Sequence, residues 1–224
     1  MMELRADNFA NWDKHLFEKQ DRSSDFNFYT APRRVVHIDE AAIQAVTQLY
    51  REVLPANGNI LDLMSSWRSH LPSDVAYARV AGLGMNADEM RDNPQLTESL
   101  VHSLNDNPRL PYADAEFDGA GCCVSVQYLQ QPVAVFREVG RVLKPGAPFV
   151  VTFSNRCFPS KAINLWANTD DEEHMNLVAL YFANAGNWEG TTLQVRSKAA
   201  WGRDPLFAVW AYRTQLAAQP PSPL

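Results

Sequence analysis

The chain has 224 residues, 46% of them hydrophobic, with a net charge of −6 and a pI near 5.3. This length supports one large domain, with or without a small cap, and a core of that size needs neither disulfide nor metal. The acidic balance excludes a nucleic-acid polyanion as the main partner, because phosphate binding needs a basic footprint, and leaves small molecules and proteins.

Residues 1–35 are polar but carry scattered aromatics: Phe9, Trp12, Phe17, Phe26, Phe28 and Tyr29. Aromatics in a polar stretch predict a cap docked on a body rather than a free tail. Asp39 is suited to cap a helix whose Ile43, Val46, Tyr50, Val53 and Leu54 recur at helical spacing. Pro55, Asn57 and Gly58 end it. "NILDL" (59–63) reads as a buried strand, and a second strand centres on Ala78 to Leu83. From Asp88 the spacing predicts a helix with Leu96, Leu100, Val101 and Leu104 on one face. "SLNDNPRLPYADAEFD" is a turn-rich connector to the strand "GAGCCVSVQYL". Pro132 opens the next helix, with Val135, Phe136, Val139, Val142 and Leu143 as its apolar stripe. "LKPGAP" breaks it before the strand "FVVTFSN". A helix from about Asp171 to Ala185 and the strands "TTLQVRS" and "LFAVWAYR" follow.

Alternating strands and helices predict a parallel sheet with helices on both faces. The last two strands have no helix between them and are expected to pair antiparallel. In such a sheet ligands bind at the carboxyl ends of the strands, near the point where strand order reverses. Boundaries are expected at 1–38 for the cap, 39–215 for the main domain and 216–224, "LAAQPPSPL", for a flexible tail.

The three cysteines, Cys122, Cys123 and Cys157, form no disulfide framework, and no ligand set with zinc spacing is present. Reduced thiols and the absence of an apolar segment near 20 residues long argue for a cytoplasmic protein without a membrane partner. The N-terminal residues lack the apolar stretch of a signal peptide. Composition does not set the oligomeric state.

Three stretches carry a resemblance. "GNILDLMSSW" stands where class I S-adenosylmethionine-dependent methyltransferases have their first strand and cofactor loop. "NDNPRLPYADAEFDGAGCCVSVQYL" is similar to that family's D-x-x-x-LP-[FY]-x-D-x-x-FD segment and fourth strand. "VFREVGRVLKPGAPFVVTFSNR" resembles its E-x-x-RVLKPGG helix, turn and fifth strand. The likeness covers roughly 58–155, with the family's terminal hairpin expected at 191–213. It implies an α/β, Rossmann-like, seven-stranded, mostly parallel sheet with an antiparallel terminal hairpin. It also implies S-adenosylmethionine as cofactor and a small-molecule acceptor.

Two departures stand out. The family's loop is usually G-x-G-x-G, whereas here Met64, Ser65, Ser66 and Trp67 fill it. The family's ribose-binding acid after the second strand is replaced by Gly84 and Asn86, and Asn bonds a hydroxyl without charge assistance.

On this resemblance, Asp62 orders the loop and attracts the cofactor's ammonium; its bland alternative is a local turn cap. Ser65 and Ser66 are expected to donate to a carboxylate, with Met64 beside them and Trp67 as a wall. Asn105, Asp106 and Asn107 fall at the adenine-side loop, with turn chemistry as the alternative. Ser125 and Tyr128 follow the fourth strand, Asn155 and Arg156 the fifth. Tyr29, Arg33 and Arg34 precede the body, where a closing segment is expected to grip a carboxylate, unless the arginines are simply solvated. Tyr29, Tyr128 and Asn155 are the candidates for contact with the reacting groups. His37 reads as structural, and His174, among acids at a helix start, as solvated rather than catalytic.

Methyl transfer onto a small molecule fits this pattern, since the protein then supplies mainly proximity and orientation. Two alternatives remain open. The rebuilt loop also suits a SAM-utilising enzyme that closes a ring within the cofactor's aminobutyrate arm, as azetidine-2-carboxylate synthases do, releasing methylthioadenosine. Loss of the glycines also suits a non-catalytic scaffold.

Overall fold

The computed structural model describes residues 11–215; Phe9 and the proposed tail at 216–224 lie outside them. A seven-stranded sheet carries the fold, in the order β3-β2-β1-β4-β5-β7-β6. Its strands are β1 (Asn59–Ser65), β2 (Arg79–Gly84), β3 (Glu98–Val101), β4 (Gly119–Cys123), β5 (Pro148–Phe153), β6 (Trp188–Ser197) and β7 (Leu206–Arg213). The first five pair parallel; β7 runs antiparallel to both β5 and β6. The helices are α1 (Asp25–Tyr29), α2 (Glu40–Val53), α3 (Ala87–Arg91), α4 (Pro132–Val142), α5 (Asn164–Ala167) and α6 (Asp171–Ala185).

The sheet buries both faces, which is why its central strands read as continuous apolar runs. On one face α4 and α6 pack Val135, Phe136, Val139, Leu177, Tyr181 and Phe182 against Leu61, Leu63, Phe149 and Val151. On the other, α2 packs Ala42, Val46, Leu49 and Tyr50 against Ile60, Val80 and Val150. Asp39 caps α2 by accepting from the Ala42 N–H, and Pro132 sits in the first turn of α4. Cys122 joins the first cluster and Cys123 flanks the second, so the adjacent thiols do point to opposite faces. Burial pushes both thiols up to about 12, so they stay protonated at neutral pH.

The helix expected from Asp88 is corrected. Only Ala87–Arg91 is helical, and Leu100 and Val101 lie in the edge strand β3, 42% and 40% exposed. Asp92, Asn93 and Pro94 stop the helix after little more than one turn, the Asp92 N–H capping it. His174 is also corrected: it is buried, stacked on Trp166 at 3.9 Å with Nε2 against the Trp166 carbonyl, and it locks α5 onto α6.

Residues 11–38 pack on the body through a buried ionic clasp. Lys161 is fully buried, with Nζ 3.0 Å from Asp21 Oδ2 and 3.4 Å from Asp25 Oδ1. Lys19 Nζ donates to Asp25 Oδ2 at 2.7 Å. Asn105, from the body, donates to the same Asp25 oxygen at 2.8 Å. Burial opposes ionisation of Asp25, but these donors outweigh it and hold its carboxyl below the usual range. Among the described residues, no helix is long and apolar enough to cross a membrane.

Candidate active site

Strand order reverses between β1 and β4, and a cavity of about 310 Å³ opens at their carboxyl ends. It lies within the usual size range of small-molecule sites. The segments after β1, β2, β4 and β5 supply its walls, and residues 25–37 close the remaining side.

The floor is built around Asp62. Its register partners on the neighbouring strands are Gly82 and Gly121. Ser65 Oγ and Ser69 Oγ both donate to Asp62 Oδ2, at 2.5 and 2.6 Å. Burial outweighs these donors and lifts the Asp62 carboxyl to about 6. Asn93 then reaches in, donating to Ser69 Oγ at 2.9 Å and to the Ser66 carbonyl at 3.0 Å. The loop is thus held by side-chain hydrogen bonds rather than by the packing of a following helix; residues 66–78 form no helix at all.

The loop keeps a glycine-like backbone without glycine. Met64 has φ of +58° and sits at a bulge, while its neighbours Leu63 and Ser65 stay paired to β2. Val124, just after β4, has φ of +46°, a costly conformation for a β-branched residue. Both line the cavity. Backbone strain of this kind concentrates at functional sites.

Glu89, which the sequence did not single out, is a third buried element of the wall. Its Oε2 accepts from Ser66 Oγ at 2.6 Å and its Oε1 from the Arg33 N–H at 2.5 Å, joining the β1 loop to the N-terminal segment. Asn86 caps α3 by accepting from the Asp88 and Glu89 N–H groups. Its Nδ2 donates to the Tyr29 and Thr30 carbonyls. Both ends of this side chain are therefore already engaged, which makes it a brace.

Of the residues singled out from sequence, Tyr29, Asp62, Met64, Ser65, Ser66, Gly84, Asn86, Asn105, Ser125 and Tyr128 converge on the cavity. Asp106, Asn107 and Asn155 are not among its lining residues; Ser103 and Leu104 line it in place of the first two, and Arg156, Cys157 and Phe158 in place of the third. Asn107 turns back, its N–H donating to the Ser103 carbonyl. Asn155 is exposed, its Oδ1 3.3 Å from Ser154 Oγ. The two arginines separate: Arg33 lines the cavity, while Arg34 pairs with Asp92 outside it. Trp67 is a wall residue, its indole N–H donating to the Val35 carbonyl. Tyr128 accepts from the Phe158 N–H at 2.8 Å, and its ring stacks on Phe158. Burial pushes Tyr128 up to about 12 and raises Tyr29 further, so neither phenol is a base at neutral pH. Burial also lowers His37, and with Arg68 brings His70 down to about 4, leaving both imidazoles neutral.

Residues 70–151 match the family described as Methyltransferase domain. Methyltransferase phqN of Penicillium fellutanum is 39% identical over 80 residues, which is 33% of this chain and 24% of that protein. The chain therefore spans about a quarter of the length of that curated relative. Among solved structures, a chain from the complex of the Haloferax volcanii Trm112 methyltransferase activator with a methyltransferase superposes with a TM-score of 0.60 at 15% identity, covering 80% of this chain and 93% of that one. An S-adenosylmethionine-dependent methyltransferase from Mesorhizobium loti superposes with a TM-score of 0.52 at 15% identity, covering 75% and 98%. At these identities the superpositions speak for the fold, and the family match for its kind. The match over residues 70–151 is to a methyltransferase domain, and the sheet as a whole has the fold of S-adenosylmethionine-dependent methyltransferases. The Mesorhizobium loti neighbour is S-adenosylmethionine-dependent, and in this chain the cavity lies at the carboxyl ends of β1, β2 and β4, where open α/β sheets take their ligands.

Proposed function

We propose that this protein transfers a methyl group from S-adenosylmethionine to a small-molecule acceptor. The observation that carries the reading is the cavity itself: a walled chamber of about 310 Å³ at the strand-order switch, with buried carboxylates in its floor and a protein segment over its open side. Asp62 and Glu89 supply negative charge for a cationic ligand. These carboxylates fit a sulfonium. When bound, the cofactor supplies an activated methyl on positively charged sulfur. Asp62 and its two serines fix the loop that receives the cofactor, and Asn105 and Ser125 line the wall on the β4 side. Residues 25–37, anchored where Asp25 meets Lys19 and Lys161, cover one side of the cavity. With the phenols held neutral, the chain's contribution is orientation rather than proton abstraction.

Calorimetric titration with S-adenosylmethionine, then incubation with the cofactor alone and with a metabolite extract, tests the reading. S-adenosylhomocysteine formed only with the extract is the expected product. Methylthioadenosine formed from the cofactor alone would establish ring closure instead. Absence of binding would leave a scaffold.

A further inference from the structure

We propose that the acceptor is an anion, a carboxylate or a phosphate monoester, and that the guanidinium of Arg33 receives it. The proposal rests on the methyl-transfer reading above and names its substrate class.

The chain as a whole carries −6, yet three arginines, Arg33, Arg68 and Arg156, line its cavity. The three lining acids are engaged by the protein. Asp25 binds Lys19 and Asn105, Asp62 binds Ser65 and Ser69, and Glu89 binds Ser66 and the Arg33 N–H. Two of the arginines are also engaged. Arg156 pairs with Asp204 at 2.8 Å, and Arg68 lies over the Trp67 ring while donating to the Trp67 and Asp92 carbonyls.

Arg33 differs. Its guanidinium carbon lies 4.3 Å from the Phe28 ring centroid, 5.5 Å from Phe158 and 5.7 Å from Tyr29. Those rings hold the group by their π faces and offer it no acceptor oxygen from their carbons. Nη1 is buried and has no hydrogen-bond partner among the described residues. A buried charged donor left unpaired is costly, and a ligand oxygen placed there removes the cost. The planar fork of arginine matches a carboxylate or a phosphate.

Location separates this seat from the cofactor loop. The Arg33 N–H is tied to Glu89, beside the β1 loop, but its guanidinium rests against Phe158, which the segment after β5 delivers. Phe158 stacks on Tyr128 at 5.9 Å and meets His37 edge to face at 5.2 Å, so an aromatic acid is a natural probe.

The test uses the full chain saturated with S-adenosylhomocysteine, titrated with benzoate and phenyl phosphate, and with benzyl alcohol as the uncharged match. The expected result is binding of at least one anion tenfold or more tighter than the alcohol. That preference disappears in Arg33→Gln, while Arg33→Lys keeps part of it. The second arm measures S-adenosylmethionine and its decarboxylated analogue on the same variants; Arg33→Gln is expected to change either affinity by less than threefold. Equal binding of anions and alcohol, or an anion preference that survives Arg33→Gln, would overturn the proposal. So would a tenfold loss of S-adenosylmethionine affinity without loss for the decarboxylated analogue, because the seat would then hold the cofactor's own carboxylate. Failure of wild type to bind S-adenosylmethionine would sink the methyl-transfer reading instead, and the anion titration of the free protein would still decide the role of Arg33.

Discussion

Replacing Asp62 by Asn isolates the cost of keeping a charge in the cavity floor. Burial lifts this carboxyl from the usual 3.8 to about 6 despite two hydroxyl donors. A native state that binds its proton more tightly than the unfolded chain draws full stability from this group below pH 3.8. It loses that stability as pH rises through 6. The whole displacement is worth about 3 kcal/mol, of which about 2 kcal/mol falls between pH 4 and pH 7. Asn keeps an acceptor for Ser65 and Ser69 but carries no charge. Whatever its amide costs is the same at each pH and cancels in the comparison. Urea unfolding of wild type and Asp62→Asn at pH 4, 5.5 and 7 should therefore show the variant gaining about 2 kcal/mol on wild type across that range. A difference constant to within about half a kcal/mol would refute the reasoning, because the carboxyl would then not be held under strain. Calorimetry adds the functional half. Affinity of wild type for S-adenosylmethionine should rise as pH passes 6, since only the ionised carboxyl attracts a cation, and the variant should show no such rise.

Three further outcomes test how the site is held. Met64→Gly should be more stable than Met64→Ala by about 1 kcal/mol in urea melts, because both remove the same side chain and glycine alone is at ease at φ of +58°. Gly84→Ala should cost about 3 kcal/mol and weaken cofactor binding, since a Cβ there would stand 2.1 Å from the Ser65 carbonyl oxygen, and backbone cannot yield as a side chain can. Lys161→Met should cost about 3 kcal/mol by leaving Asp21 and Asp25 short of their buried cation. Limited proteolysis should then cut the chain between residues 19 and 30 well before the body.

Most of the sheet was legible because its strands are buried on both faces and its caps are local. Asp39, Pro132 and the apolar stripes of α2 and α4 act within a few residues of themselves. The edge strand β3 was not legible. Leu96, Leu100, Val101 and Leu104 recur at helical spacing, but Leu96 packs on one side of the sheet and Leu104 on the other, and the middle two face outward. Periodicity cannot distinguish one face of a helix from a chain that crosses between two faces. In the site, Asp62 was visible as an acid inside an apolar run. Glu89 was not, because an acid in the first turn of a helix looks like ordinary charge–dipole matching. Its burial follows from Ser66 and Arg33, which approach from distant parts of the chain. Asn155 and Asp106 show the opposite failure: position relative to a strand end does not set which way a loop turns.

The missing glycines are explained by where the close approach occurs. In the usual loop, glycine serves both a left-handed backbone and contact without a Cβ. Here the two needs fall on different strands. Met64 takes the left-handed backbone, at a bulge whose strain the Asp62–Ser65–Ser69–Asn93 network can hold. The contact falls on β2, where Gly84 is the register partner of Ser65 and has no Cβ to strike its carbonyl. A search for glycines within the loop therefore looks at the wrong strand. The residue that permits the loop's path lies 20 positions later in sequence, and only the parallel pairing of β1 with β2 makes them neighbours.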